Sequence, residues 1–402
     1  MSDFHQHGLI STLQRLTETN AESIEAELAT LTEQKPVSLV MPCHSADVGN
    51  PALAHIIGEL AQAKFIREII FSMNGMDEAG FQVARNFFSR VRIPHRILWN
   101  DGPGLGAVYR LLSDVTHLLP PPGKGFNVWA AFGLGIAEGK SELIVTQDCD
   151  VASFQRSALA LLCYAALHPD LSYHCSKMYY SRVTDRIYGR VSRLFLTPLL
   201  HALVRVLGHH PLLDFLLSFR YPLSGEYALR REVADALSFR GDWGLEIGLL
   251  CEIFRATEPG RVCQVDGGGN YDHRHQPLEA ADGGGLHAMS KQIAAALFEH
   301  LAGEGAVTGG NFLPALQLSY RRESRDALRR YGHLALMNGI SFDAVAEQRA
   351  VDSFSRALEE ASTPSSVPRS ILPSWRHIAK VMPDFAPRFL AAVAEENEPS
   401  GK

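Results

Sequence analysis

The chain has 402 residues, of which 46% are hydrophobic and 20% charged, as in globular proteins with one large or two modest domains. The net charge of −6 argues against nucleic-acid binding. The six cysteines form no Cys-X-X-Cys pair, and the N-terminus lacks the basic and apolar blocks of a secretory signal, so we expect reduced thiols in a cytoplasmic protein.

The first 150 residues alternate between helical and extended patterns. Leucine and isoleucine recur at helical intervals from Asp3 to about Gln34 and predict a helical lead-in that Pro36 ends. The elements that follow are strands at 37–41, 65–71, 96–99 and 143–146 and helices at 51–64, 78–89 and 126–138. Such alternation predicts an α/β fold with a parallel sheet and helices on its faces.

The pattern is looser after residue 150. Helices are predicted at 159–167, 191–217 and 242–254, and strands at 172–178 and 261–265. The most apolar stretch, 194–219, contains Arg205, His209, His210 and Asp214, so it favours buried helices over a membrane span, and no stable membrane insertion is expected. A glycine-rich linker at 281–286 precedes a mainly helical region.

Two carboxylates two positions apart follow the predicted strand at 143–146. Asp148 and Asp150 lie where the strand ends, and ligands of α/β sheets bind at that edge. Paired acidic oxygens suit Mg²⁺ or Mn²⁺, which commonly accompany phosphate groups. This is the Asp-X-Asp arrangement of nucleotide-sugar glycosyltransferases, although a solvated turn after a strand also contains such residues. No GxGxxG follows the first strand, which argues against a dinucleotide site.

Seven short segments in a fixed order resemble the glucosyl-3-phosphoglycerate synthase family, the retaining glycosyltransferases of family 81. They are Gly123-Lys124-Gly125, Asp148-Cys149-Asp150, Lys177, Gly189-Arg190-Val191-Ser192, 222–228 (PLSGEYA), 244–250 (GLEIGLL) and 273–278 (HRHQPL). The resemblance covers about residues 35–280. It implies a GT-A fold, Rossmann-like and nucleotide-sugar-binding, with a mixed, mainly parallel sheet and a helical C-terminal extension.

The resemblance also implies a domain organisation. Residues 1–35 are expected to form the helical lead-in, and 36–280 the catalytic domain, with a donor half at 36–151 and an acceptor half at 152–280. Residues 287–402 would form the helical C-terminal region, which we expect to pair subunits in a homodimer.

A divalent ion and a donor sugar are implied by the same family pattern. Asp150 and His273 would bind Mg²⁺ or Mn²⁺ with the donor diphosphate, and Asp148 would contact the ribose or the ion through water. Glu246 would contact hydroxyls of the donor sugar, and we name Glu246 and Asp150 as the catalytic residues. A carboxylate with a neutral imidazole suits Mn²⁺ at least as well as Mg²⁺.

The remaining site residues fall into a donor set and an acceptor set. The donor set is Pro42, His44, Asp47, Ser72, Asn74, Lys124, Asp148, Cys149, Gly225 and Glu226. The acceptor set is Lys177, Gly189, Arg190, Ser192 and Arg274. Arginine can grip a phosphate with two parallel hydrogen bonds, and glycines before a helix let the backbone approach an anion.

This sequence departs from the family pattern at three places. The loop Cys43–Asp47 replaces an Asn-Glu-Glu-like segment, which leaves UDP, GDP and ADP open as the nucleotide. Ser192 stands where the family has threonine and keeps the hydroxyl. Tyr271 stands where an arginine is common, which leaves the acceptor less defined.

The resemblance therefore implies a retaining enzyme that moves glucose from an NDP-glucose, UDP-glucose in the first place, to the 2-hydroxyl of 3-phosphoglycerate, giving a precursor of a compatible solute. Its partners would be the NDP-sugar and a small anionic acceptor. Alternatives are a transferase that uses free glycerate or a mannose donor, a lipid- or polysaccharide-directed transferase, and a nucleotide-sugar binder without catalysis.

Overall fold

The computed structural model describes residues 6–17, 21–116, 123–271, 277–280, 284–306, 309–362 and 371–398. Within these ranges it contains ten strands and fifteen α-helices. The strands are β1 (Ser11–Leu13), β2 (Val37–His44), β3 (Glu68–Asn74), β4 (His95–Trp99), β5 (Leu143–Thr146), β6 (Cys175–Ser181), β7 (Tyr227–Arg230), β8 (Phe239–Arg240), β9 (Val262–Asn270) and β10 (Ile371–Leu372).

The helices alternate with the strands in the first part of the chain and follow one another in the last part. They are α1 (Ala21–Gln34), α2 (Pro51–Leu60), α3 (Glu78–Phe88), α4 (Pro103–Thr116), α5 (Lys124–Glu138), α6 (Arg156–Leu167), α7 (Thr197–Leu207), α8 (Pro211–Leu217), α9 (Arg231–Ala234), α10 (Leu245–Ala256), α11 (Gly285–Gly303), α12 (Phe312–Met337), α13 (Ala344–Ala361), α14 (Trp375–Val381) and α15 (Phe385–Asn397). A π-helical segment, Val191–Leu196, leads into α7.

Eight strands form one sheet in the order β1-β9-β6-β7-β5-β2-β3-β4. Strand β7 runs antiparallel to its neighbours β5 and β6, and the other pairs are parallel. The predicted mixed, mainly parallel sheet is therefore confirmed. The antiparallel strand β7 is not among the strands predicted from the sequence, because its four residues carry little periodic signal.

The N-terminal segment differs from the predicted continuous helix. Residues 11–13 form β1, paired in parallel with β9 from Ser11↔Cys263 to Leu13↔Val265, and α1 begins only at Ala21. The leucine spacing fits a helix, but pairing with the outer strand β9 satisfies backbone groups that would otherwise stay exposed at a sheet edge. The side chain of Gln264 also donates to Thr12 Oγ1 at 2.8 Å. Tertiary contacts thus override the local pattern.

Alternating side chains of the strands divide the core into two layers. In β2, Leu39 and Met41 pack with α1, α2, α3 and α6, whereas Val40 packs on the opposite face with α4 and α5. Neighbouring side chains of a strand point to opposite faces, so a strand that is apolar throughout requires cover on both sides. All residues of β2 from Val37 to Cys43 are buried accordingly.

The C-terminal helices belong to the layer that contains α5. Trp375 donates its indole N–H to the Trp129 carbonyl at 3.1 Å, and the Asn397 side chain bonds both backbone groups of Ile97 on the edge strand β4. The apolar stretch 194–219 forms the end of the π-helical segment, α7 and α8, and most of the leucines of these two α-helices are buried in this layer. That burial confirms the buried-helix reading of the stretch. The predicted domain boundaries stay a prediction.

None of the helices in the described ranges combines the length and apolarity needed to cross a bilayer.

Candidate active site

A cavity of about 420 Å³ opens at the carboxyl edge of the central strands. Strands β2, β3 and β5 are parallel neighbours, so His44, Asn74 and the residues after Thr146 reach the same edge. This edge is where an open α/β sheet binds ligands. The rest of the lining includes the segment 186–192, the loop before β7, and the first turns of α10 and α11.

Thirteen of the predicted site residues line this cavity. They are Pro42, His44, Asp47, Asn74, Lys124, Asp148, Cys149, Asp150, Gly189, Arg190, Ser192, Gly225 and Glu246. Residues of the donor set and of the acceptor set therefore line one cavity. We call the part lined by the ends of β2, β3 and β5 the donor end, and the part lined by the segment 186–192 the acceptor end. His273 and Arg274, predicted for the metal and the acceptor, lie outside the described residues.

One ammonium group joins two carboxylates at the donor end. Lys124, the first residue of α5, places Nζ within 2.9 Å of both carboxylate oxygens of Asp148 and 3.1 Å from Glu246 Oε1. Burial opposes the charge on Lys124, but Asp148 and Glu246 raise the pKa of Lys124 well above its ordinary value. Lys124 is therefore a fixed cation, and it holds Asp148 and Glu246 side by side.

A close approach between backbone and carboxylate makes glycine necessary beside Asp148. A Cβ atom at Gly225 would lie 2.5 Å from Asp148 Oδ2 and 2.8 Å from its Cγ. The Asp148 carboxylate can therefore lie this close to the loop before β7 because position 225 has no side chain. Thr146 Oγ1 donates to the Gly225 carbonyl at 2.6 Å and holds that loop in place.

The loop after β2 is fixed by Asp47. Its carboxylate accepts hydrogen bonds from the backbone N–H of His44 at 2.8 Å and from the thiol of Cys149 at 3.3 Å. This arrangement connects the ends of β2 and β5. Asn127, one turn into α5, donates to the Cys43 carbonyl at 3.2 Å and accepts from Asn100 at 2.9 Å. A rigid polar floor results at the donor end.

The acceptor end is formed by a tight turn and the start of a helix. Gly189 adopts a positive φ of 74°, which favours glycine, and its carbonyl accepts from the Arg193 N–H at 3.0 Å. Arg190 then begins the helical run and donates from Nε to Glu347 Oε1 at 2.8 Å. The segment 186–192 thus lines the cavity, and its polar side chains include those of Arg186, Arg190 and Ser192.

Three predicted residues lie beneath the cavity and do not line it. Ser72 is fully buried and accepts from Asn100 at 2.9 Å, and Glu226 is fully buried and accepts from the Tyr180 hydroxyl at 2.8 Å. Lys177 is also buried, and its Nζ donates to the Ser224 carbonyl at 2.6 Å. In this structure these side chains support the loops that form the walls, and their contacts with donor or acceptor stay a prediction.

Burial has a marked effect on the basicity of Lys177. It lowers the pKa of Lys177 to about 8, and the charge of Glu246 opposes that shift. The ammonium group also lies 5.3 Å from the centre of the Tyr227 ring. Burial therefore disfavours the charged form of Lys177, and its hydrogen bond to the Ser224 carbonyl holds the Ser224–Gly225 turn in place.

Several cavity residues escaped the sequence analysis. They are Arg182, Tyr180, Tyr188, Tyr221, Trp243, Leu286 and Met289 among others. Trp243 could have been noticed in the sequence as an aromatic residue between Asp242 and Gly244. In the structure its side chain is 41% exposed at the rim of the cavity. Leu286 and Met289 come from α11 and carried no signal, since only the tertiary packing brings that helix to the cavity.

Asp150 lines the cavity and would be a ligand of a bound metal ion. Among the described residues, no cluster of three or more His, Cys, Asp or Glu side chains is arranged to hold a metal ion. A carboxylate at the sheet edge fits a hard cation that takes its other ligands from diphosphate oxygens and from residues outside the described ranges. Asp148 is less suited to that role, because both of its oxygens contact Lys124.

Comparison with known proteins places these observations in a family. No family model matches the chain. It is 35% identical over 402 residues to the glucosyl-3-phosphoglycerate synthase of Persephonella marina, covering 99% of both chains, and 29% identical over 389 residues to that of Methanococcoides burtonii, covering 94% of both.

Solved structures show the same fold. The glucosyl-3-phosphoglycerate synthase of Mycobacterium tuberculosis, in complex with Mn²⁺, UDP and phosphoglyceric acid, superposes with a TM-score of 0.54 at 24% identity, over 72% of this chain and 86% of that one. The mannosyl-3-phosphoglycerate synthase of Rubrobacter xylanophilus gives a TM-score of 0.52 at 22% identity, over 71% and 80%. Given its match to the Persephonella marina enzyme along almost the whole of both sequences, this chain belongs to the glucosyl-3-phosphoglycerate synthase family.

Proposed function

We propose that this protein is a retaining glycosyltransferase that moves glucose from UDP-glucose to the 2-hydroxyl of 3-phosphoglycerate. The observation that carries the proposal is one cavity whose lining contains the acidic residues Asp148, Asp150 and Glu246 as well as Arg190. A diphosphate with its cation suits the acidic residues, and an anionic acceptor suits the arginine. The full-length relatives named for this reaction support the assignment.

The donor would occupy the edge of β2, β3 and β5. The floor built by Asp47 and Asn127 offers fixed polar groups for a nucleoside, and the Lys124–Glu246 pair lies where the sugar would extend. Glu246 is 6% exposed and paired, so we assign it to orienting sugar hydroxyls and not to covalent attack. The bound UDP of the Mycobacterium tuberculosis enzyme supports uridine as the base.

A divalent ion would bind at Asp150 with the donor. Structures of the Mycobacterium tuberculosis relative contain Mn²⁺ or Mg²⁺ together with UDP, and the carboxylate of Asp150 suits either ion. His273 is the second ligand that the family resemblance implies. Such an ion would stabilise the negative charge of the departing diphosphate.

The acceptor would bind through its charged groups at the segment 186–192. Arg190 and the Ser192 hydroxyl border the cavity there, and arginine binds phosphate or carboxylate with two-pronged geometry. The acceptor's 2-hydroxyl oxygen would bond to C1 of glucose while the bond from C1 to the diphosphate oxygen breaks. The hydroxyl proton would pass to the departing diphosphate, on the same face of the sugar, which gives retention.

Two further expectations are part of the proposal. All six cysteines are free and buried, which suits the reducing cytoplasm.

A homodimer remains our expectation for the assembly, and light scattering coupled to size-exclusion chromatography would measure it.

A matrix of donors and acceptors tests the proposed reaction. UDP-, GDP- and ADP-glucose and a GDP-mannose donor are each combined with 3-phosphoglycerate or glycerate, with Mg²⁺, Mn²⁺ or a chelator. We expect the highest kcat/KM for UDP-glucose with 3-phosphoglycerate and loss of turnover with the chelator. Preference for glycerate or for the mannose donor would replace the proposed reaction with the corresponding alternative, and absence of transfer from every donor would overturn it.

A further inference from the structure

A buried glutamate from the C-terminal region contacts Arg190, which lines the acceptor end of the cavity. Glu347 lies in the first turn of α13 and is 4% exposed. One of its carboxylate oxygens accepts from Arg190 Nε at 2.8 Å, and the other forms an ion pair with Arg193 Nη2. Glu347 itself does not border the cavity, whereas Arg190 does. It therefore acts on the cavity only through its two arginine partners.

Arg193 ties Glu347 to the wall of the cavity. Its guanidinium is 5% exposed and donates to the carbonyls of Ile187 at 3.0 Å and Tyr188 at 3.1 Å. Burial lowers the pKa of Arg193, and Glu347 counteracts that effect. A buried guanidinium without a counter-charge is strongly unfavourable, so Glu347 keeps Arg193, and with it the turn at Ile187 and Tyr188, in place.

Arg190 uses only one edge of its guanidinium for Glu347. Its two terminal nitrogens, Nη1 and Nη2, form no hydrogen bond with any residue that the structure describes. Those nitrogens are the pair that arginine uses in two-pronged binding of a phosphate or carboxylate. The two arginines and Glu347 together carry a formal charge of +1, so the cluster keeps a positive charge for an anion.

We propose that Glu347 is a positioning residue for the acceptor: it fixes Arg190 by its Nε edge so that the terminal nitrogens are ready to bind the acceptor's phosphate or carboxylate. This inference rests on the proposed function, because it takes the anion at Arg190 to be the acceptor. It assigns a role in substrate binding to the C-terminal region, 157 positions away from Arg190. Fixing the side chain in advance lowers the entropic cost of binding.

A double-mutant cycle tests the proposal with the full-length enzyme, UDP-glucose, 3-phosphoglycerate and Mn²⁺. Glu347→Ala and Arg190→Ala are each expected to raise the acceptor KM roughly ten-fold or more and to change the donor KM less than about two-fold. The double variant is expected to resemble Arg190→Ala alone within about two-fold, because residues that act through one contact are not additive. Glu359→Ala, on the exposed face of α13, is the matched control and is expected to leave both KM values unchanged.

Other results would overturn the proposal. An acceptor KM that is unchanged in Glu347→Ala excludes positioning, and a lowered KM would mean that Glu347 competes with the acceptor for Arg190. A double variant whose acceptor KM rises by the product of the two single effects would mean that Glu347 acts by general structural support. Absence of transfer by the unaltered enzyme would instead reject the proposed function, and this inference with it.

A folding defect is the foreseeable complication, because Glu347→Ala leaves Arg193 buried without its counter-charge. In that case the cycle is run with Glu347→Gln, which keeps the side-chain volume and one hydrogen-bond acceptor. The expectation is the same: a raised acceptor KM, an unchanged donor KM, and no additional effect in the presence of Arg190→Ala. Circular dichroism and UDP binding show whether each variant is folded.

Discussion

The ammonium nitrogen of Lys124 lies 3.1 Å from a carboxylate oxygen of Glu246, although 122 positions separate the two residues in the sequence. The same nitrogen contacts Asp148, so one cation balances two acids at the sheet edge. Asp150 adds a further acidic residue to the lining of the cavity, and Arg182, Arg186 and Arg190 add basic ones. The lining thus offers carboxylates for a cation with its diphosphate and guanidinium groups for a free anion.

Replacement of Lys124 tests the role of this cation. In Lys124→Met the two carboxylates would repel each other and the donor diphosphate, so we expect kcat/KM for UDP-glucose to fall by about 100-fold or more, roughly 2.7 kcal/mol. Steady-state kinetics with the donor varied at saturating acceptor measures the effect. Lys140→Met, at an exposed position, is the control. An unchanged kcat/KM would show that the ion pair has no part in donor use.

The contact between Gly225 and Asp148 leads to a second prediction. A methyl group in Gly225→Ala would displace the Asp148 carboxylate, which lies 2.5 Å from the added carbon, and disturb its pairing with Lys124. We expect UDP-glucose binding to weaken about ten-fold or more while the fold persists. Isothermal titration calorimetry measures the affinity. Gly58→Ala, in an exposed part of α2 with open space around it, is the control and should bind the donor normally.

Asp150 can be tested by metal dependence. Asp150→Asn keeps the size of the side chain but removes the charge that a hard cation prefers. We expect Mn²⁺ to strengthen UDP binding by the unaltered protein and to have little effect in the variant, as measured by calorimetry with and without the ion. Asp170→Asn, at an exposed position, is the control. If Mn²⁺ strengthened UDP binding equally in Asp150→Asn, the ion would be held by other groups.

Much of the donor end could be predicted from sequence, because its residues follow strands. Parallel strands end at one edge, so His44, Asn74 and Asp148 had to meet once β2, β3 and β5 were identified as neighbours in one sheet. The burial of the Lys177 side chain could not be predicted in this way. It pairs with Tyr227 of β7, a strand that local periodicity did not reveal, and that pairing buries the amine beneath the Ser224–Gly225 turn.

The contact between Glu347 of the C-terminal region and Arg190 at the cavity could not be predicted either. Glu347 sits in an amphipathic helix, and nothing in the neighbouring sequence distinguishes it from the exposed glutamates of that helix. Its contact with Arg190 depends on how α13 packs against the π-helical segment, a non-local arrangement without a periodic signal. The N-terminal strand β1 is a similar case, since its partner β9 lies about 250 residues further along the chain.

The buried amine of Lys177 predicts a pH dependence of stability. Burial lowers its pKa from 10.5 to about 8 in the folded protein, so between these values the unfolded chain binds more protons than the folded protein. The free energy of unfolding should therefore rise with pH across this window, by up to ~3 kcal/mol for this group. Below about pH 8 the amine is protonated in both states, and its burial is then most costly.

Lys177→Met provides the comparison, because methionine is unbranched, only one heavy atom shorter than lysine, and binds no proton. We expect the stability of the unaltered protein, relative to Lys177→Met, to increase from about pH 7.5 to about pH 10, since all other titrating groups are common to both proteins. Urea denaturation followed by circular dichroism at several pH values gives the two free energies. If the free energies of unfolding of the two proteins changed in parallel with pH, Lys177 would have an ordinary pKa, and its burial would not disfavour the charged form.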